Sequence, residues 1–153
     1  MSATARILIF AVGNESRGDD ALAPLLLRRL EAEGAAQAEL IEEYQLQVEH
    51  VTDLLGRSAV LFVDADMNCE SPFDLSRIDA AHDNSYTSHA MSPVALLHAY
   101  SQVYRTDAPP SYLLRIRGYG FELGEGLSDE AAANLELAVE KVRAWLADIP
   151  AAG

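Results

Sequence analysis

Two runs of the chain, Ile7-Leu8-Ile9-Phe10-Ala11-Val12 and Ala59-Val60-Leu61-Phe62-Val63, contain no polar side chain. A strand with one wet face alternates apolar and polar residues, so an unbroken apolar run marks a strand covered on both faces. Two such strands need layers above and below them. The first run empties into Gly13-Asn14-Glu15-Ser16-Arg17-Gly18-Asp19-Asp20, and the second ends in Asp64-Ala65-Asp66.

The intervening segments supply the layers. From Asp20, Leu22, Leu25, Leu26 and Leu30 recur at helical spacing, Pro24 is tolerable in a first turn, and Gly34 is a stop. Ala38 to Leu46 sets Leu40, Ile41, Tyr44 and Leu46 among glutamates and reads as a less buried second strand, followed by a short helix from Val48 to Gly56. Asn68 to Ser88 has little periodicity; Phe73 to Ile78 fits a short edge strand and Ser85 to Ser88 a loop. Ser92-Pro93 is an N-cap followed by proline at the first helical position, ahead of Leu96, Leu97, Tyr100, Val103 and Tyr104. After Pro109-Pro110, Tyr112 to Arg117 alternates as a strand, and Gly118 to Leu127 is a glycine-rich loop. Ser128 caps a last helix whose buried stripe runs from Leu135 to Leu146.

Strands alternating with helices predict an α/β fold: one domain over residues 1–153, three layers, a mostly parallel twisted sheet with helices on both faces. Ligands of such sheets sit outside the carboxyl ends of the strands. The Gly13 to Asp20 loop and Asp64 should therefore share one edge.

Charge narrows the function. Eleven basic against 24 acidic residues leave a formal charge of −13, which repels nucleic acid phosphates and anionic lipid. Neither nucleic acid nor membrane is an expected partner. Cys69 is the lone cysteine, so an internal disulfide and a cysteine-built zinc cluster are excluded. With no signal-peptide flanks or membrane span in view, a cytoplasmic location is the expectation.

Each candidate for chemistry also has an ordinary explanation. Asp19 or Asp20 taken alone would serve as the N-cap of the first helix. Asp64 is harder to explain away, because a carboxylate at the end of a central apolar strand is poorly solvated unless something pairs with it. His89, just ahead of Ser92-Pro93, would by itself be a surface or capping residue. His50, His82 and His98 read as structural or solvated, and Cys69 as an inert thiol. Together, one carboxylate of the Asp19-Asp20 pair, Asp64 and His89 would make a nitrogen and oxygen site for a divalent transition metal such as nickel or zinc. Gly13 to Gly18 lacks the Lys-Ser/Thr of a phosphate-binding loop, and neither Gly-x-Ser-x-Gly nor Asp-Thr/Ser-Gly occurs.

Gly13-Asn14 followed by Asp19-Asp20, Phe62-Val63-Asp64-Ala65, His89 shortly before Leu96-Leu97, and Phe121 to Ser128 together resemble the hydrogenase maturation endopeptidases, in order from about Arg6 to Leu146. The resemblance implies an endopeptidase, historically classed with aspartic-type peptidases, that removes the C-terminal extension from the nickel-loaded large-subunit precursor of a nickel–iron hydrogenase. It implies that Asp20, Asp64 and His89 contact the metal and are the catalytic set. The nickel would be supplied by the precursor, with zinc or cadmium able to replace it in a crystal, and the enzyme would be a monomer. Asp19 matches the acidic neighbour, expected to cap or to support the site. Ala21 and Ala23 stand where the family often has glycines, and Tyr44 to Glu49 resembles the branch with Gln-Leu and a nearby glutamate.

Two rivals remain. A response-regulator receiver also carries an acidic pair and an aspartate on its third strand, but it needs a lysine at the end of a later strand, whereas the sole lysine is Lys141 in the last helix. A chaperone that recognises the metal without cleaving fits the same residues.

Overall fold

The computed structural model describes residues 6–34, 37–81 and 91–149. The two apolar runs form β1 (Ile7–Val12) and β3 (Ala59–Asp66), paired in parallel at the centre of a five-stranded sheet. β2 (Ala38–Glu43) flanks β1, and β5 (Ser111–Arg117) flanks β3, both in parallel. β4 (Phe73–Ile78) closes the far edge, antiparallel to β5. The order is β2-β1-β3-β5-β4.

Period-two alternation sorts the central strands' side chains to two faces. Ile7, Ile9, Leu61 and Val63 point to one face and are buried with α1 (Leu22–Ala32) and α3 (Asp129–Asp148). Leu8, Phe10, Val60 and Phe62 point to the other, under a 3-10 helix (Val48–Leu54) and α2 (Pro93–Tyr104). This is the expected three-layer α/β arrangement. Phe10 and Phe62, fully buried with ring centroids 6.1 Å apart, anchor the second face. Each such burial is worth roughly 1.5–3 kcal/mol. Across the first face, Arg29 with Glu136 and Arg143 with Glu33 tie α1 to α3.

Several boundaries move. The first helix is preceded by a 3-10 turn, Gly18–Ala21, and α1 proper starts at Leu22 without a side-chain cap. β2 stops at Glu43, and Leu46 instead forms an isolated bridge with Met91, whose N–H donates to the Leu46 carbonyl at 3.1 Å. β3 runs three residues past Val63, so Asp64 lies inside the strand rather than after it. The N-cap of α2 is as expected: Ser92 Oγ accepts from Ala95 N–H at 3.2 Å. The Ser85 to Ser88 loop, His82 and His89 lie outside the described residues.

β1 leads through α1 to β2 on one side, whereas β2 leads to β3 on the other. The strand order reverses between the carboxyl ends of β1 and β3, and a crevice opens outside a sheet at such a reversal. No helix of the described residues is long and apolar enough to cross a membrane.

Candidate active site

The loop that leaves β1 is shaped by glycines for steric reasons. A Cβ on Gly13 would sit 2.3 Å from the Asp20 carbonyl oxygen, and one on Gly18, at φ +54°, 2.4 Å from the Gly120 carbonyl oxygen. Both obstructions are backbone. Gly13→Ala and Gly18→Ala should each lower stability by about 2 kcal/mol or more, read as a urea midpoint shift without change of slope; unchanged midpoints would contradict this close packing. The tight loop turns Asp20 back over its own start, where the carboxylate accepts from the Asn14 N–H at 3.0 Å. Burial holds the Asp20 pKa above the usual range, with the Asn14 N–H and Arg17 pulling the other way.

Asp64 shares a face with Phe62 and Val60, the face under α2. Its β5 neighbour in register is Arg115, a ready counter-charge. Arg115 is taken elsewhere: its guanidinium donates to Asp66 at 3.2 Å and to Asp74 at 2.8 Å. Asp64 is left facing Asp20, and its pKa is pushed up to about 7, by burial first and by the Asp20 charge second, partly offset by the Ala65 N–H. Two half-buried carboxylates thus meet at the β1/β3 reversal, and one of them is kept from ionising fully at neutral pH. A cation would relieve both.

Asp20 and Asp64 are brought together as the sequence implied. His89, the third member, lies outside the described residues. Among the described residues no group of three His, Cys, Asp or Glu side chains is arranged to hold a metal. The chemistry of the donor pair nevertheless fits a divalent ion, because hard oxygen donors of excess negative charge suit it.

Of the two roles expected for Asp19, capping and support, the structure shows the second. Asp19 does not cap the helix that follows it. Its side chain is fully buried and accepts from Tyr119 N–H at 2.7 Å, Gly120 N–H at 3.2 Å, and Ser128 N–H and Oγ–H, both at 2.8 Å. Burial would raise its pKa, but the hydrogen bonds, led by the Ser128 N–H, hold it below the ordinary value. Asp19 N–H donates in turn to the Gly120 carbonyl at 2.7 Å, and Gly124 N–H to the Ser16 carbonyl at 2.7 Å. The acidic loop is therefore bolted to the Gly118 to Ser128 loop. A signal for this existed in Gly118-Tyr119-Gly120 followed by a serine cap, though nothing in the sequence says which carboxylate it receives.

The remaining candidates are structural. His50 is buried edge-on against Phe10, at 5.1 Å between centroids; its Nδ1 accepts from Gln47 N–H at 2.8 Å, and Nε2 lies 3.7 Å from Glu43. It has the partners that its sequence context did not reveal. Cys69 is buried, its thiol turned toward the Asp66 and Arg115 carbonyls, and burial raises its pKa, which suits an inert thiol.

No family model matches the chain, and no curated protein matches it. Solved structures do. The hydrogenase maturating endopeptidase HybD from E. coli is 21% identical at a TM-score of 0.72, over 94% of this chain and 93% of that one. The NiFe hydrogenase maturation protease HycI from Thermococcus kodakarensis is 21% identical at 0.69, over 96% of each chain. The hydrogenase 2 maturation peptidase from a Thaumarchaeota archaeon is 22% identical at 0.67, over 93% of this chain and 98% of that one. The chain is thus similar in fold, over nearly its full length, to the proteins its motifs resemble.

Proposed function

We propose that this protein is a maturation endopeptidase that removes the C-terminal extension from the nickel-loaded large-subunit precursor of a nickel–iron hydrogenase. The observation that carries the reading is the Asp20/Asp64 pair, two neighbouring carboxylates at the sheet's reversal point with Arg17 near Asp20 and, among the described residues, no cation paired with Asp64, in the fold of the solved maturation proteases. The nickel is part of the substrate and arrives with it. Asp20 and Asp64 would accept the ion and hold the peptide bond beside it against the sheet edge. His89 would add a nitrogen donor; it precedes by two residues Met91, which is bridged to Leu46 just beyond β2. The ion supplies polarisation of the scissile carbonyl or activation of a water.

Because Asp64 holds its proton up to about 7, seating the cation must release that proton. Processing should therefore fall as pH drops through about 7, approaching tenfold per unit below it. Asp20→Asn, Asp64→Asn and His89→Ala should each lower cleavage by about 100-fold or more. The check is the mass of nickel-loaded precursor after incubation with purified protein: normal loss of the C-terminal peptide with all three variants would sink the proposal. Binding of the precursor by the wild type without loss of mass would make the protein a metal-recognising chaperone. The reaction is placed in the cytoplasm, with the protein acting as a monomer.

A further inference from the structure

Parallel β2, β1, β3 and β5 release their loops at one edge, so the order of strands is also the order of loops along it. The two carboxylates belong to the middle strands. On the β2 flank, Tyr44 is 75% exposed and Val48 54%; directly after β3, Met67 is 49% exposed, and after β5, Tyr119 is 40% and Leu123 74% exposed. Five of the eight large hydrophobic side chains found exposed among the described residues thus belong to this one edge, on both sides of the acidic pair. Single exposed apolar residues need no explanation, but a rim arranged about a cleft marks an interaction site.

The charge around the rim says what it receives. Glu43, Glu70, Glu122 and Glu125 are exposed on the loops of this edge and outnumber its unpaired cations: Arg115 is paired with Asp66 and Asp74, whereas Arg17, near Asp20, and Arg117, which donates to the Cys69 carbonyl, keep their charge. The span from β2 to β5 is three strand spacings, about 14 Å, or roughly four residues of extended chain at about 3.3 Å each. The β5 flank is also rigid, since Asp19 pins Tyr119 and Gly120 to the acidic loop. We infer that this rim docks an extended, net basic segment of the precursor across the sheet edge, with apolar side chains on both sides of the residue held at Asp20 and Asp64. The inference rests on the endopeptidase reading and adds a specificity surface to it.

Tyr44→Ser and Leu123→Ser test it, both at exposed positions where folding should be unaffected, with Val103→Ser and Leu137→Ser, about half exposed on α2 and α3, as controls away from the rim. Using the nickel-loaded large-subunit precursor as probe, each rim variant should raise KM five- to tenfold with kcat within twofold, and the controls should match wild type. Raising salt from about 50 to 500 mM should raise the wild-type KM further, through screening of the acidic rim. Wild-type KM in both rim variants, with cleavage intact, overturns the docking inference and leaves the endopeptidase reading standing. A wild-type protein that neither binds nor cleaves the precursor overturns both. Self-association in sedimentation that both rim variants abolish assigns the rim to a second copy of the chain and overturns the inference.

Discussion

Asp64→Asn is expected to make the protein more stable while abolishing its proposed activity. The native Asp64 holds its proton up to about 7, against 3.8 for an unperturbed aspartate, a difference of about three units. A group that binds its proton more tightly when folded favours the folded state at low pH, and this advantage is lost as pH rises from about 4 to 7. Above 7 the ionised side chain is a full burden: a desolvated charge beside Asp20, with Arg115 committed to Asp66 and Asp74. The neutral, isosteric asparagine removes that burden. Three units would correspond to about 4 kcal/mol, and solvent at the crevice reduces this to about 1–3 kcal/mol. The melting temperature at pH 8 should then rise by about 3–8 °C, and the gain should shrink toward zero near pH 4. Thermal melts of both proteins at pH 5, 6, 7 and 8 decide it. An Asp64→Asn protein no more stable than wild type at pH 8 would mean that Asp64 is already compensated in the native state, which removes the argument for a cation site. Functional sites commonly carry such a stability cost.

The scaffold was legible because its cause is local. Ile7–Val12 and Ala59–Val63 hold no polar residue, and only a doubly covered strand suits such a run, so the layers and the shared edge followed from pattern alone. The Ser92 and Ser128 caps were legible for the same reason, each being settled within four residues. What escaped was long-range. Arg115 sits in register with Asp64, yet pairs with Asp66 and Asp74 once β4 folds back along β5, and no spacing announces that choice. His50 could be read only as structural or solvated, because Phe10 and Glu43 reach its 3-10 helix from β1 and β2. The acidic pair shows the limit most clearly. As sequence, Asp19-Asp20 is two copies of one residue at a helix start, for which capping is the economical account. In the fold, the tight turn made by Gly13 and Gly18 sends the two side chains to different environments.

Asp19→Asn should accordingly have the opposite effect to Asp64→Asn. Three backbone N–H groups and the Ser128 hydroxyl converge on the Asp19 carboxylate, which is fully buried. Asparagine offers one acceptor oxygen and turns an NH₂ toward the remaining donors, so at least one buried N–H loses its partner where charge-assisted bonds existed before. The expected loss is about 3–4 kcal/mol, or about 6–15 °C in melting temperature. Its pH dependence also reverses. The Asp19 pKa lies below its ordinary 3.8, so its contribution is present above that value and disappears only as pH falls through the depressed one. Ser128→Ala removes one of the four donors and the α3 cap together, and should cost about 1–2 kcal/mol. Urea unfolding at pH 7 of Asp19→Asn, Ser128→Ala and the double variant reads this directly. If Asp19 acts through Ser128, the double variant falls short of the sum of the singles by about 1 kcal/mol or more. Wild-type stability in Asp19→Asn would show that the bolt between the two loops carries no load, and the rigidity ascribed to the β5 flank would go with it.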